Sequence, residues 1–265
     1  MMNGALAGVG VLVTRPRPQA LALAKALRAA GADPVVFPGI ELEALEDPQL
    51  AGTLGRTPDA DLIIFVSPNA ARFGMALLET AGAVPLRARV AAVGPGTARE
   101  LTGLGVGEVI VPLDGHDSEA LARHPALQAV RGSKIVIFRG RGGREHLAAV
   151  LRERGAQVVL AECYRRSPPR AEFASTLADW RSGRIAAWTA SSVEIVDNLF
   201  ALAGADGSEW LRRKVVFVPH ARIATAAFAH GARNIVVTGA GDAGLLSALE
   251  TWFGKLRRVQ AQQAR

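Results

Sequence analysis

Ten short apolar runs, rich in β-branched residues, recur along this chain, with amphipathic helical patterns in most of the gaps. The first five span residues 9–13, 35–37, 62–66, 90–93 and 109–111. The second five span 135–138, 158–160, 185–188, 215–218 and 235–237. Each run is too short for a helix. Each is apolar throughout rather than alternating, as a strand covered on both faces must be. Strand and helix in succession predict βα units on parallel sheets, an α/β fold.

The two sets of five match at an offset near 124 residues. Leu23, Ala26 and Leu27 share one helix face, and the same face returns as Leu147, Val150 and Leu151. Gly31 returns as Gly155, each just past a helix end that wants a positive φ. Arg15 returns as Arg139 at a strand end, and Pro95 as Pro219. Phe65 meets Trp188 at 123 and Asp117 meets Asp242 at 125, drifts that loop insertions produce. A ladder of this length predicts two tandem copies of a five-strand βα unit.

Open parallel sheets bind ligands outside the carboxyl ends of their strands. Two such units are expected to leave a cleft fit for a large ligand. Candidate site residues therefore lie in the loops that follow strands. Composition narrows what those loops do. Of the 265 residues, 49% are hydrophobic, enough for a sizeable core without staples. Cys163 is the single cysteine, so no internal disulfide forms and a reducing compartment is expected. The histidines, at 116, 124, 146, 220 and 230, lack metal-ligand spacing, and no metal is expected. Met1 to Gly10 carries no basic leader, and no apolar run nears the ~20 residues of a membrane span. A cytoplasmic protein is expected. The net charge of +7 is partly a basic tail (residues 257–265), read as a solvated, frayed end, and aromatics are only 5%. Without stacking rings among basic residues, nucleic acid is a poor match, and an acidic small molecule a better one.

The first loop, Thr14-Arg15-Pro16-Arg17-Pro18, offers guanidinium groups suited to carboxylate or phosphate, on a turn stiffened by proline. The loop Ser67-Pro68-Asn69-Ala70 offers either a helix cap or an anion site at a helix N-terminus. Thr189-Ala190-Ser191-Ser192 presents the same pair of readings. Arg139, Arg141 and Arg144 share a glycine-rich turn at a helix start, the strongest anion signal in the chain. Residues 162–170 run from a strand end into prolines and read as a linker. Within it, Tyr164, the only tyrosine, either packs or donates a proton into a cleft. Gly94-Pro95-Gly96-Thr97-Ala98 lacks the third glycine of a dinucleotide fingerprint, because Arg99 stands there. Gly239-Ala240-Gly241-Asp242-Ala243-Gly244 fits that pattern formally, but too little chain follows to complete the unit. No Walker motif, Ser/His/Asp order or paired acidic motif occurs. No cofactor is expected.

Taken in order, Val13-Thr14-Arg15-Pro16, Phe65-Val66-Ser67-Pro68-Asn69-Ala70, Val93-Gly94-Pro95-Gly96-Thr97-Ala98, Arg139-Gly140 with Gly143-Arg144-Glu145, Tyr164 and Thr189-Ala190-Ser191-Ser192 resemble the uroporphyrinogen-III synthase family over residues 9–253. Val218-Pro219-His220 with Arg222-Ile223-Ala224 resembles a variant found in some bacterial members. Ala190 departs from the pattern where many members carry serine, as does Trp188.

The resemblance implies two flavodoxin-like five-stranded domains joined by two linkers, with the tandem repeat split across them. Domain one would comprise residues 1–38 and 168–256, and domain two residues 39–167. The implied activity is a cyclising hydro-lyase step in haem biosynthesis. It closes hydroxymethylbilane, a linear tetrapyrrole with eight carboxylates, with inversion of ring D through azafulvene and spiro intermediates. The resemblance makes Tyr164 the candidate catalytic residue. It makes Thr14, Arg15, Ser67, Asn69, Gly94, Thr97, Arg139, Arg144, Thr189, Ser191, Ser192 and His220 candidates for substrate binding. A monomer is expected, with transient contact to the enzyme that makes hydroxymethylbilane. A non-catalytic tetrapyrrole- or anion-binding module of the same fold is the alternative, and a phosphate-ester or nucleotide enzyme a third reading.

Overall fold

The computed structural model describes residues 4–45, 59–84, 86–115, 117–169 and 183–263. The chain divides into two compact units, Met1–Glu41 with Ser167–Arg265, and Leu42–Arg166.

The first unit holds β1 (Gly10–Val13), α1 (Arg17–Ala29) and β2 (Asp33–Val36) from the start of the chain. Its later elements are β8 (Ile185–Thr189), α6 (Val193–Arg213), β9 (Val215–Val218), α7 (Ala221–Ala229), β10 (Ile235–Val237) and α8 (Gly241–Gln263). The sheet runs β10-β9-β8-β1-β2, and its four pairings are all parallel. Numbered within the unit, that order is 5-4-3-1-2, a doubly wound sheet. Each face is covered. Val11, Val13 and Phe217 pack with Leu23 and Leu27 of α1 and Leu249 of α8. Trp188 points the other way and donates to the Leu211 carbonyl of α6 at 3.1 Å. Its ring meets Phe200 edge-on at 6.2 Å.

The second unit holds β3 (Glu41–Ala44), β4 (Leu62–Phe65), α2 (Pro68–Thr80), β5 (Arg89–Ala92), α3 (Pro95–Gly103) and α4 (Ser118–Arg123). After these come β6 (Lys134–Gly140), α5 (His146–Glu153) and β7 (Gln157–Ser167). The sheet order is β3-β7-β6-β4-β5, with β4 parallel to both β5 and β6, and β6 parallel to β7. Period-two alternation fills both faces. Ile63, Phe65 and Phe138 pack beneath α2, while Leu62, Ile64 and Ile137 pack against Leu147 and Leu151 of α5.

Gly31 and Gly155 follow α1 and α5 with φ of 88° and 84°, the left-handed turn that stops each helix. Four expectations are corrected. Residues 109–111 make a single parallel bridge, Ile110 to Ala91, rather than a regular strand. β3 was not among the ten runs, because Glu41-Leu42-Glu43-Ala44 carries no β-branched residue. β7 continues through Tyr164 to Ser167, where the sequence read a linker. Neighbours on both sides hold it: Arg141 N donates to Tyr164 O at 2.8 Å, and Leu45 N to Cys163 O at 3.2 Å. Residues 170–182, the rest of that stretch, lie outside the described residues. Last, most of the basic tail is helical, since α8 reaches Gln263, and Arg257 donates to the Ala7 carbonyl.

Candidate functional site

Strand order decides where a doubly wound sheet can bind. Connections run one way from β1 to β2 and the other way from β8 outward, so the loops after β1 and β8 part from each other. In the second unit the same reversal falls between β4 and β6. A crevice opens at such a point, beyond the carboxyl ends of the strands. The chain puts Thr14–Pro16 and residues 190–192 at the first reversal, and Ser67–Asn69 and residues 141–145 at the second.

At the first reversal most of the polar side chains are occupied. The Thr14 hydroxyl donates to the Thr189 carbonyl, and the Thr189 hydroxyl donates to the Leu12 carbonyl at 3.2 Å. Both threonines are buried, so their hydroxyls lace β1 to β8. Arg15 forms an ion pair with Asp242 in the first turn of α8. Gly244 comes so close to Gly239 that an added Cβ would sit 2.3 Å from the Gly239 carbonyl carbon. That turn is closed on itself. Ser192 caps α6, accepting from Ile195 N at 3.2 Å, and Ser191 beside it is half-buried.

At the second reversal a tyrosine is enclosed. The Tyr164 ring is 2% exposed and stacks on Phe73 of α2, centroids 5.3 Å apart. Its hydroxyl lies 3.4 Å from Ser67 Oγ, which also accepts from Ala70 N at 3.0 Å as the cap of α2. Gly140 presses on the other side, since a Cβ there would stand 2.7 Å from Tyr164 Cζ. Arg139 ties the turn that follows Gly140 to itself. Its guanidinium donates to the Gly143 carbonyl and, through Nε, to the Gly140 carbonyl at 3.3 Å. Arg139 is 3% exposed, and its Nη1 has no hydrogen-bond partner among the described residues. Cys163 beside it is sealed in, and burial pushes its thiol up to about 12. Arg144 stands outward, with its side chain 76% exposed and Glu119 3.9 Å away.

A family model described as uroporphyrinogen-III synthase HemD matches residues 22–245. Over 246 residues the chain is 35% identical to the uroporphyrinogen-III synthase of Salmonella typhimurium, covering 91% of this chain and 100% of that protein. Against the Escherichia coli protein of the same name the identity is 31%, with the same coverage. The chain belongs to the uroporphyrinogen-III synthase family. Solved structures share its fold. The Helicobacter pylori uroporphyrinogen-III synthetase aligns with TM-score 0.57 at 15% identity, covering 92% of this chain and 99% of that one. A mutant uroporphyrinogen III synthase from Thermus thermophilus gives 0.56 at 20% identity, covering 96% and 99%.

In this family member the remaining candidates also follow strands. Gly94 precedes α3 in extended conformation, with Thr97 buried in the first turn of that helix. His220 is exposed at the start of α7 without capping it. Asn69 is half-buried in the first turn of α2. Sequence reasoning missed three residues that build the tyrosine pocket or hold Arg15: Phe73, Gly140 and Asp242. Gly140 stands in the Arg139-Gly140 motif, so a signal existed for it; Phe73 carries only helical periodicity. Among the described residues, no cluster of three or more His, Cys, Asp or Glu could hold a metal ion. No helix among them is long and apolar enough to cross a membrane.

Proposed function

We propose that this chain cyclises hydroxymethylbilane to uroporphyrinogen III, inverting ring D and releasing one water. The observation that carries this is family membership along nearly the whole chain, with the likeness reaching 100% of the Salmonella enzyme. In the reaction, the terminal hydroxyl takes a proton and leaves as water, giving an azafulvene. That carbon bonds to the substituted α carbon of ring D, giving a spiro intermediate. The bond from this α carbon to the ring C–D methylene then breaks, the methylene re-bonds at ring D's free α carbon, and loss of the proton there restores the pyrrole. The pyrroles are reactive enough to close unaided, so the enzyme's part is mainly to hold the chain for the inverted closure.

Tyr164 supplies the proton to the departing hydroxyl in this reading, with Ser67 orienting the phenol. Tyr164 is 2% exposed, so the wall formed by Gly140, Phe73 and Ser67 must part for the substrate to reach its hydroxyl. Arg144, already outward, meets a substrate carboxylate, as do the backbone N–H groups that open α2 and α3. Thr14 and Thr189 hold the ends of β1 and β8 together. The test is isomer analysis. Hydroxymethylbilane is generated in situ, the protein added, and the oxidised products separated as uroporphyrin I and III. Predominance of isomer III supports the reading, and isomer I alone from folded protein overturns it.

The offset of 124 residues supports a second reading, about descent. Each sheet contains a strand, β1 or β6, with its successor on one side and strands from the other sequence half beyond. We infer a duplicated five-strand unit whose halves exchanged partners. Related chains that align half against half at the same offset would support it, and random offsets would refute it. We also infer a cytoplasmic monomer that takes its substrate from the enzyme producing it. Light scattering showing a dimer at micromolar concentration would refute the monomer.

A further inference from the structure

A cavity of about 780 Å³ lies within the second unit, at the amino end of β5. It is not part of the site above. Arg89 opens β5 on the cavity, whereas the Gly94 loop leaves the strand's other end, about 13 Å away along four residues. The volume is in the range of small-molecule sites. Its wall is one face of α2, from Arg72 through Met75 and Ala76 to Glu79, facing residues 104–108 beyond α3.

The lining combines an apolar floor with charged groups of both signs. Met75 and Val90 are buried beneath it, Val84 and Val106 are half-buried, and Leu104 is 41% exposed at the edge. Arg72 is already tied to Glu100, through Nε at 3.0 Å and Nη2 at 2.9 Å, so it braces α2 against α3. The other four charges, Arg87, Arg89, Glu79 and Glu108, are exposed and form no ion pair among the described residues. The fold does not use them. Two free guanidiniums and two free carboxylates around an apolar floor match a ligand with an acid, a base and an apolar body.

We propose that this cavity binds a small amphipathic zwitterion, of the class of hydrophobic amino acids and short apolar peptides. The carboxylate goes to Arg87 and Arg89, the ammonium to Glu79 and Glu108, and the apolar body to the Met75–Val90 floor. A simple fatty acid satisfies only half of these charges, and a simple amine the other half.

The test uses the full chain with 13C-labelled methionine methyls, titrated with the dipeptide Leu-Phe, decanoate and decylamine. Leu-Phe is expected to shift the Met75 methyl with a Kd on the order of 10⁻⁴ M. Decanoate and decylamine should bind at least about tenfold more weakly, one lost charge contact each. The exposed pairs Arg87→Ala with Arg89→Ala, and Glu79→Gln with Glu108→Gln, should each weaken Leu-Phe by about tenfold. Circular dichroism checks that each variant is folded. No Met75 shift at 10 mM Leu-Phe, on the order of a hundred times the expected Kd, overturns the site. Decanoate binding as tightly as Leu-Phe, or indifference to the glutamate substitutions, overturns the zwitterion.

Discussion

Replacing Gly140 with alanine adds one methyl group at the most crowded point of the tyrosine pocket. The new Cβ would lie 2.7 Å from Cζ of Tyr164, 2.9 Å from Cε2 and 3.0 Å from the hydroxyl. Carbon atoms in contact sit about 3.5–4.0 Å apart, so the ring must retreat by roughly 0.8 Å. It has little room. Phe73 stacks on the ring at 5.3 Å, and the residue is 2% exposed. Gly140 does not have a positive φ, so alanine adds no backbone strain and the cost is steric. Overpacking of this kind costs about 1–3 kcal/mol. The assay is urea unfolding followed by far-UV circular dichroism, because all four tryptophans (180, 188, 210 and 252) belong to the other unit. A double-mutant cycle isolates the contact. In a Tyr164→Leu background the ring is gone, and Gly140→Ala should cost at least about 1 kcal/mol less than in the native chain. Equal losses in both backgrounds, or no loss in either, would refute the steric argument. Yield of isomer III should fall together with the displaced phenol, by on the order of 10–100-fold.

Other outcomes follow from the same geometry. Ser67→Ala removes the cap of α2 and the neighbour of the Tyr164 hydroxyl, and should cost about 1 kcal/mol in the same unfolding assay. Gly74→Ala would set a Cβ 2.6 Å from Phe138 and 2.9 Å from Phe65, beneath α2, and should cost about 1–3 kcal/mol by urea titration. Cys163 should resist iodoacetamide at pH 8 in folded protein and react once urea unfolds it, as mass spectrometry reads. Its folded thiol stands near 12 against an ordinary 9, so its contribution to stability is complete below pH 9 and is lost as pH rises toward 12. Alkaline unfolding midpoints should therefore move less in Cys163→Ala than in the native chain over that window.

The sequence by itself determined that this chain makes parallel sheets. Runs such as Leu62-Ile63-Ile64-Phe65 must be covered on both faces, and the intervening helices carry one apolar face each, as Ala20, Leu23, Ala24 and Leu27 do in α1. It also placed Ser67, Ser192 and the arginine turn at strand ends, because capping and turn chemistry are local. Sheet membership was decided only in three dimensions: the parallel partner of β1 across the reversal is β8, more than 170 residues along the chain. The state of each polar side chain was decided there too. Arg15 and Arg139 look alike in sequence, but Asp242 takes the first and the Gly143 carbonyl takes the second. Tyr164, in a stretch that reads as a linker, is sealed in β7 by Gly140 and Phe73. Burial and pairing depend on residues distant in the chain, and no local pattern encodes which of them will meet.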